Sequence, residues 1–125
     1  MAAGVADSGQ APRAAREAFP ALAGRSVLLV PGRIDPTKNQ EWLVAEAAEL
    51  MRRHPRILLV LVGACTHREY GAALQARIAR EGLHDCVLVA GNLPPGDPRL
   101  IGLFQEARAV IMSSISETFG LVILE

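Results

Sequence analysis

The sequence predicts an α/β domain: a doubly wound, Rossmann-like parallel sheet, a partial domain with about four strands. Three observations predict it. Short apolar runs (SVLLV, ILLVLV, CVLVA) recur along the chain. Each is continuous rather than alternating, the pattern of a strand covered on both faces. Between them lie segments with helical spacing and helix-end residues. Strand–helix–strand repeats require right-handed crossovers and so build a doubly wound sheet.

The elements follow in order. Met1 to Pro12 is rich in Ala, Gly, Ser and Gln and reads as a disordered leader or a remnant of something upstream. Arg13 to Leu22 makes a short Ala-rich helix broken at Pro20 and ended by Gly24. Residues 1–24 are thus expected to be leader and linker, and 25–125 the domain. Ser26 to Val30 is the first strand, and Asn39 to Arg53 a helix with Leu43, Ala47, Leu50 and Met51 on its core face. Ile57 to Val62 is the second strand. Thr66 to Glu81 is a helix with a Thr66–Glu69 capping box, Leu74 and Ile78 as its core stripe, and Gly82 just past its end. Cys86 to Ala90 is the third strand. Asp97 caps a third helix with Pro98 at its first position, burying Leu100, Ile101 and Phe104. Ala109 to Met112 is the fourth strand. A fourth helix is expected to start near Phe119 and run to Glu125.

Composition excludes several classes. Of 125 residues 50% are hydrophobic and 21% charged, which is globular rather than disordered. Thirteen basic residues balance thirteen acidic ones, against the basic excess usual in nucleic-acid binders. Two cysteines imply no disulfide scaffold, and Cys65, His67, His84 and Cys86 lack zinc-type spacing, so no metal site is expected. No run approaches the ~20 apolar residues of a transmembrane span. The N-terminus has no basic start before an apolar core. The expected place is the cytoplasm. The basic cluster Arg52, Arg53, His54 and Arg56 suits a helix C-terminus, and Trp42 fits either a core or a domain interface.

All strands of such a sheet point their C-terminal ends at one edge, where ligands bind. Pro31 to Lys38 follows the first strand, Gly63 to Cys65 the second, Gly91 to Leu93 the third and Ser113 to Gly120 the fourth. Arg33 and Lys38 in the first of these loops suit an anion with several oxygens. Alone, such a pair more often marks a solvated loop. The fourth loop adds weight, because an expected helix start at Thr118, Phe119, Gly120 and Leu121 would offer free amides to an anion. Glu117 and Glu125 can accept hydrogen bonds from polyol hydroxyls. Neither G-x-G-x-x-G nor a P-loop is present.

These residues carry a resemblance. G-R-I-D-P-T-K-N after the first strand, V-G after the second and E-T-F-G-L-V-I-L-E at the end resemble the C-terminal domain of GT-B glycosyltransferases. More narrowly they are similar to family 4, the retaining group 1 enzymes that include sucrose and sucrose-phosphate synthases. The likeness spans Ser26 to Glu125, and E-x7-E with F-G inside it is its most specific part. It implies that Arg33 and Lys38 bind the diphosphate of a nucleotide-diphospho-sugar and stabilise the leaving nucleotide. It implies that Glu117 contacts the donor sugar, and that Phe119, Gly120 and Leu121 place amides near sugar and phosphate. Glu125 would hold the ribose hydroxyls and Leu93 the base through its backbone, with Gly32 also at the donor. The family is usually metal-independent, in keeping with the lack of an Asp-x-Asp motif, and no cofactor is implied.

A whole GT-B enzyme has two such domains. The resemblance therefore implies a truncated chain that lacks the acceptor side, where a sugar, polyol or lipid carrier would bind, and that is inactive alone. The alternatives are a GT-B sugar-nucleotide epimerase, a phosphorylase-like enzyme, or a non-catalytic nucleotide-binding fragment.

Overall fold

The structure is a computed structural model that describes residues 9–113 and, by their backbone, 121–123. Strands β1 (Ser26–Pro31), β2 (Ile57–Val62), β3 (Val87–Gly91) and β4 (Ala107–Ile111) are parallel. With β5 (Leu121–Ile123) they form one sheet in the order β3-β2-β1-β4-β5. Helices α1 (Gln10–Ala18) and α4 (Pro98–Glu106) supply core residues on one face. Helices α2 (Gln40–Arg53) and α3 (Arg68–Arg80) supply them on the other.

The continuous run of β2 is explained by that double cover. Leu58, Val60 and Val62 join the core beneath α1 and α4. Leu59 and Leu61 join the core beneath α2 and α3. Side chains alternate across a strand, so a strand covered twice needs apolar residues at every position.

Several elements differ in detail from the sequence expectation. The core stripe of α2 is Val44, Ala48 and Met51, while Leu50 is 46% exposed and Leu43 and Ala47 are only partly buried. One residue on a helix is a turn of about 100°, so neighbouring stripes share most of their apolar letters. In α4 the fully buried side chain is Leu103; Leu100 and Ile101 are partly buried and Phe104 is 39% exposed. The start of α3 is capped by His67, not Thr66. Its Nδ1 accepts the amide of Tyr70 at 3.0 Å, and Glu69 then falls one position short of closing a box. The other end is as expected: Gly82 (φ 69°) donates to Ala79 and Leu83 to Ile78, the paired bonds of a Schellman turn.

Helix α1 begins at Gln10, within the stretch expected to be a leader, and it packs on α4 with Ala11 and Ala15 buried. Gly102 makes that contact possible. A β-carbon there would stand 2.0 Å from the carbonyl oxygen of Ala11 and 2.8 Å from the Ala15 β-carbon. Glycine inside a helix costs about 0.5–1 kcal/mol relative to alanine, a cost offset here by the close approach of two helices.

The expected fourth helix is not formed at 121–123. Leu121, Val122 and Ile123 instead pair antiparallel with Ile111, Val110 and Ala109. Val122 and Ile123 are β-branched and suit a strand paired along β4. Glu117, Phe119, Gly120 and Glu125 lie outside the described residues.

Candidate donor-binding site

The C-terminal ends of β1, β2 and β3 are laced together by backbone hydrogen bonds. Gly32 donates to Val62 at 2.9 Å, Ile34 to Ala64 at 2.8 Å and Gly63 to Gly91 at 2.9 Å. Gly63 is required where it stands. Its φ is 150°, and a β-carbon would sit 2.0 Å from the carbonyl oxygen of Gly32 and 3.1 Å from the amide of Arg33. The loop after β1 therefore lies directly on the loop after β2.

A cleft of about 340 Å³ opens at this edge, lined among others by Gly32, Arg33, Gly63, Asn92, Leu93 and Phe104. Three of the sequence-predicted residues, Gly32, Arg33 and Leu93, thus share one cavity. Lys38 is beside it: a β-carbon on Gly32 would lie 3.6 Å from Cδ of Lys38, so the lysine stem covers the glycine. Leu121, the other candidate within the described residues, is in β5 opposite Ile111.

The loop carrying the two cations is braced from within. Asp35 opens a single 3-10 turn, Pro36–Lys38, and its Oδ1 accepts the Thr37 amide at 2.8 Å. Oδ2 of Asp35 lies 3.6 Å from Nε of Arg33. The side-chain and backbone bonds from Thr37, with help from the Arg33 charge, hold the Asp35 carboxyl below its ordinary range. Arg33 itself keeps 59% of its side chain exposed, open to a ligand in the cleft. Asn39 then takes a left-handed conformation (φ 61°) and α2 begins.

Two further residues clamp the loop. Gln40 is 1% exposed, and its Nε2 donates to the carbonyl oxygen of Arg33 at 2.7 Å. Its Oε1 has no partner among the described residues. Leaving a buried amide oxygen unsatisfied costs about 1–3 kcal/mol. Ser113, at the end of β4, donates its hydroxyl to the carbonyl oxygen of Lys38 at 2.7 Å.

Sequence reasoning placed Asp35, Gly63, Asn92 and Ser113 in the loops at this edge without giving them a role, and missed Gln40 and Phe104 as parts of the site. Asp35 had a signal in D-P-T, an acid before a helix-starting proline. Gln40 and Ser113 had none, because each acts on a carbonyl that only the fold brings near.

The arrangement offers two cations, a cleft with apolar walls and closely approachable backbone at the ligand edge of a parallel sheet. Comparison with known proteins gives the family. A family model described as "Glycosyl transferases group 1" matches residues 13–125. The chain belongs to this family.

Within the group 1 glycosyl transferases, the chain is similar to the D-inositol 3-phosphate glycosyltransferase of Arthrobacter sp. strain FB24. Identity is 39% over 105 residues, covering 82% of this chain and 24% of the relative. The enzyme of the same name from Acidothermus cellulolyticus is 36% identical over 123 residues, covering 94% and 27%. This chain thus spans about a quarter of the length of these relatives. Among solved structures, Anabaena HepE in complex with UDP matches with a TM-score of 0.72 and 25% identity, covering 90% of this chain and 30% of that one. The C-terminal domain of a group 1 family protein from Francisella tularensis matches with a TM-score of 0.63 at 18% identity, a likeness of fold alone, covering 84% and 55%. Among the described residues no helix is long and apolar enough to cross a membrane.

Proposed function

We propose that the chain is the donor-binding part of a retaining, family 4 GT-B glycosyltransferase and that it binds a nucleotide-diphospho-sugar. The observation that carries this reading is the cleft at the sheet edge, where Arg33 opens onto the same space as Gly32, Asn92 and Leu93, with Lys38 packed against Gly32. The UDP complex of a structure with the same fold supports it.

In this reading Arg33 and Lys38 hold the diphosphate. As the glycosidic bond breaks, the sugar passes through an oxocarbenium-like state and negative charge grows on the leaving phosphate. Two fixed cations meet that charge at no cost of reorganisation. Leu93, in the lining of the same cleft, is assigned to the base through its backbone. Glu117, Phe119 and Gly120 are assigned to the donor sugar and its phosphates, and Glu125 to the ribose. The acceptor, a sugar, polyol or lipid carrier, would meet a part of the enzyme outside this chain, so the chain alone is expected to bind donor without transferring it. D-x-D being absent, donor binding is expected to survive chelation.

The test is calorimetry of the chain with UDP, UDP-glucose and uridine. Binding of both diphosphates at least about tenfold tighter than uridine, unchanged by excess EDTA, is the expected result. Equal affinity for UDP and uridine would exclude a diphosphate site at Arg33.

A further inference from the structure

We infer that Gln40 is a positioning residue for the donor diphosphate, acting through Arg33; the inference rests on the reading of Arg33 as a phosphate contact. Gln40 is the first residue of α2 and lies wholly inside the protein. Its amide reaches back seven positions beneath the loop to the carbonyl oxygen of Arg33, 2.7 Å away. A carbonyl only accepts, so the group facing it is the amide nitrogen and the side-chain oxygen must point elsewhere. That oxygen is buried without a partner among the described residues.

This is an unfavourable way to stabilise a helix start. An apolar side chain of the same length would remove the orphan oxygen but take the donor from the Arg33 carbonyl, exchanging one unsatisfied acceptor for another. What the amide does supply is direction. The peptide after Arg33 is held on both sides, by Gln40 at its oxygen and by Ala64, which accepts the Ile34 amide at 2.8 Å. The peptide before it is confined by packing: a β-carbon on Gly63 would stand 2.0 Å from its carbonyl oxygen and 3.1 Å from its Arg33 nitrogen. With both flanking peptides fixed, the Cα–Cβ bond of Arg33 has one direction, toward the cleft it lines. Without Gln40 the peptide can rotate, and the guanidinium must be ordered when the ligand binds.

Gln40→Met keeps length and burial while removing the donor. Gln40→Glu keeps shape but sets an oxygen against the carbonyl, and donates only once protonated. Each is compared with Arg33→Ala and with the double variant Gln40→Met/Arg33→Ala, in calorimetry with UDP and uridine and in thermal melts. The expected result is that Gln40→Met melts near the wild-type temperature, binds UDP about tenfold more weakly and binds uridine unchanged. The double variant should be no weaker than Arg33→Ala, because the two residues act as one. Gln40→Glu should recover part of its loss, relative to wild type at each pH, as pH falls and its carboxyl protonates. Should Gln40→Met lose stability and leave the UDP-to-uridine ratio unchanged, or should the losses in the double variant add, the inference is overturned while the site stands. If Arg33→Ala itself binds UDP normally, the site reading fails and the inference falls with it. If Gln40→Met does not fold, Gln40→Glu decides by its pH dependence alone.

Discussion

The hydroxyl of Ser113 donates to the carbonyl oxygen of Lys38 at 2.7 Å, joining residues 75 positions apart. It ties the end of β4 to the loop after β1. The chain leaving β4 and the loop bearing the two cations therefore share an anchor. Ser113→Ala is expected to cost about 0.5–1.5 kcal/mol, read as a lower urea midpoint with unchanged slope, and Ser113→Thr to restore it. A midpoint equal to wild type would show that the bond carries no stability.

Gly63→Ala should be far more damaging than its single methyl suggests. The new carbon would fall 2.0 Å from the Gly32 carbonyl oxygen at a φ that L-residues rarely adopt. Strain and overpacking together put the loss at about 2–4 kcal/mol. Calorimetry with UDP should show affinity falling too, because the Gly32–Arg33 loop must move. A stable Gly63→Ala variant with normal UDP affinity would mean that this loop has room to shift without harm.

Lys38 has two separable parts. Its stem covers Gly32 while its ammonium is assigned to the diphosphate. Lys38→Met keeps the stem and removes the charge. In an enzyme spanning the relatives' full length, Lys38→Met and Arg33→Ala are each expected to lower kcat by about 10²–10³, with melting temperatures near wild type. Steady-state kinetics with saturating donor make the measurement. Loss of folding in Lys38→Met would assign the ammonium to holding the loop rather than the ligand.

Asp97 is the strongest candidate for acid sensitivity outside the site. The Arg99 side chain, first, and the Arg99 amide hydrogen-bond its carboxylate and bring its pKa down to about 2. An unfolded aspartate titrates near ~3.9. The folded value is the lower one, so the carboxylate's contribution is complete above the unfolded pKa. It is lost as pH falls through that value toward the folded one. Melts of wild type and Asp97→Ala should differ by a constant amount above pH ~5 and converge between pH ~4 and ~2. A difference that persists at pH ~2 would mean the cap does not depend on charge.

The strand runs were legible in the sequence because a parallel strand covered on both faces is apolar throughout. The edge at which the loops after β1, β2 and β3 gather followed from strand direction alone. Helix faces were less legible: Leu50 and Val44 are both apolar and adjacent stripes differ by one residue, so only packing against Leu59 and Leu61 selects Val44. The segment 121–123 shows the same limit more sharply. Its aliphatic residues suit a helix or a strand, and pairing with β4 selects the strand.

By itself, then, the order of residues determined the alternating strands and helices, the chain of loops at one edge and the pair of cations in the first of them. These depend on local pattern and on the handedness of L-amino acids, both present in the linear chain. Only the tertiary structure decided that the Arg33 carbonyl meets a buried Gln40, that the Lys38 carbonyl meets Ser113, and that Gly63 must be glycine because the Gly32 backbone lies against it. Those relationships form between segments brought together by the sheet. Their energies belong to close contact and to the satisfaction of particular carbonyl groups, which leave no periodic trace along the sequence.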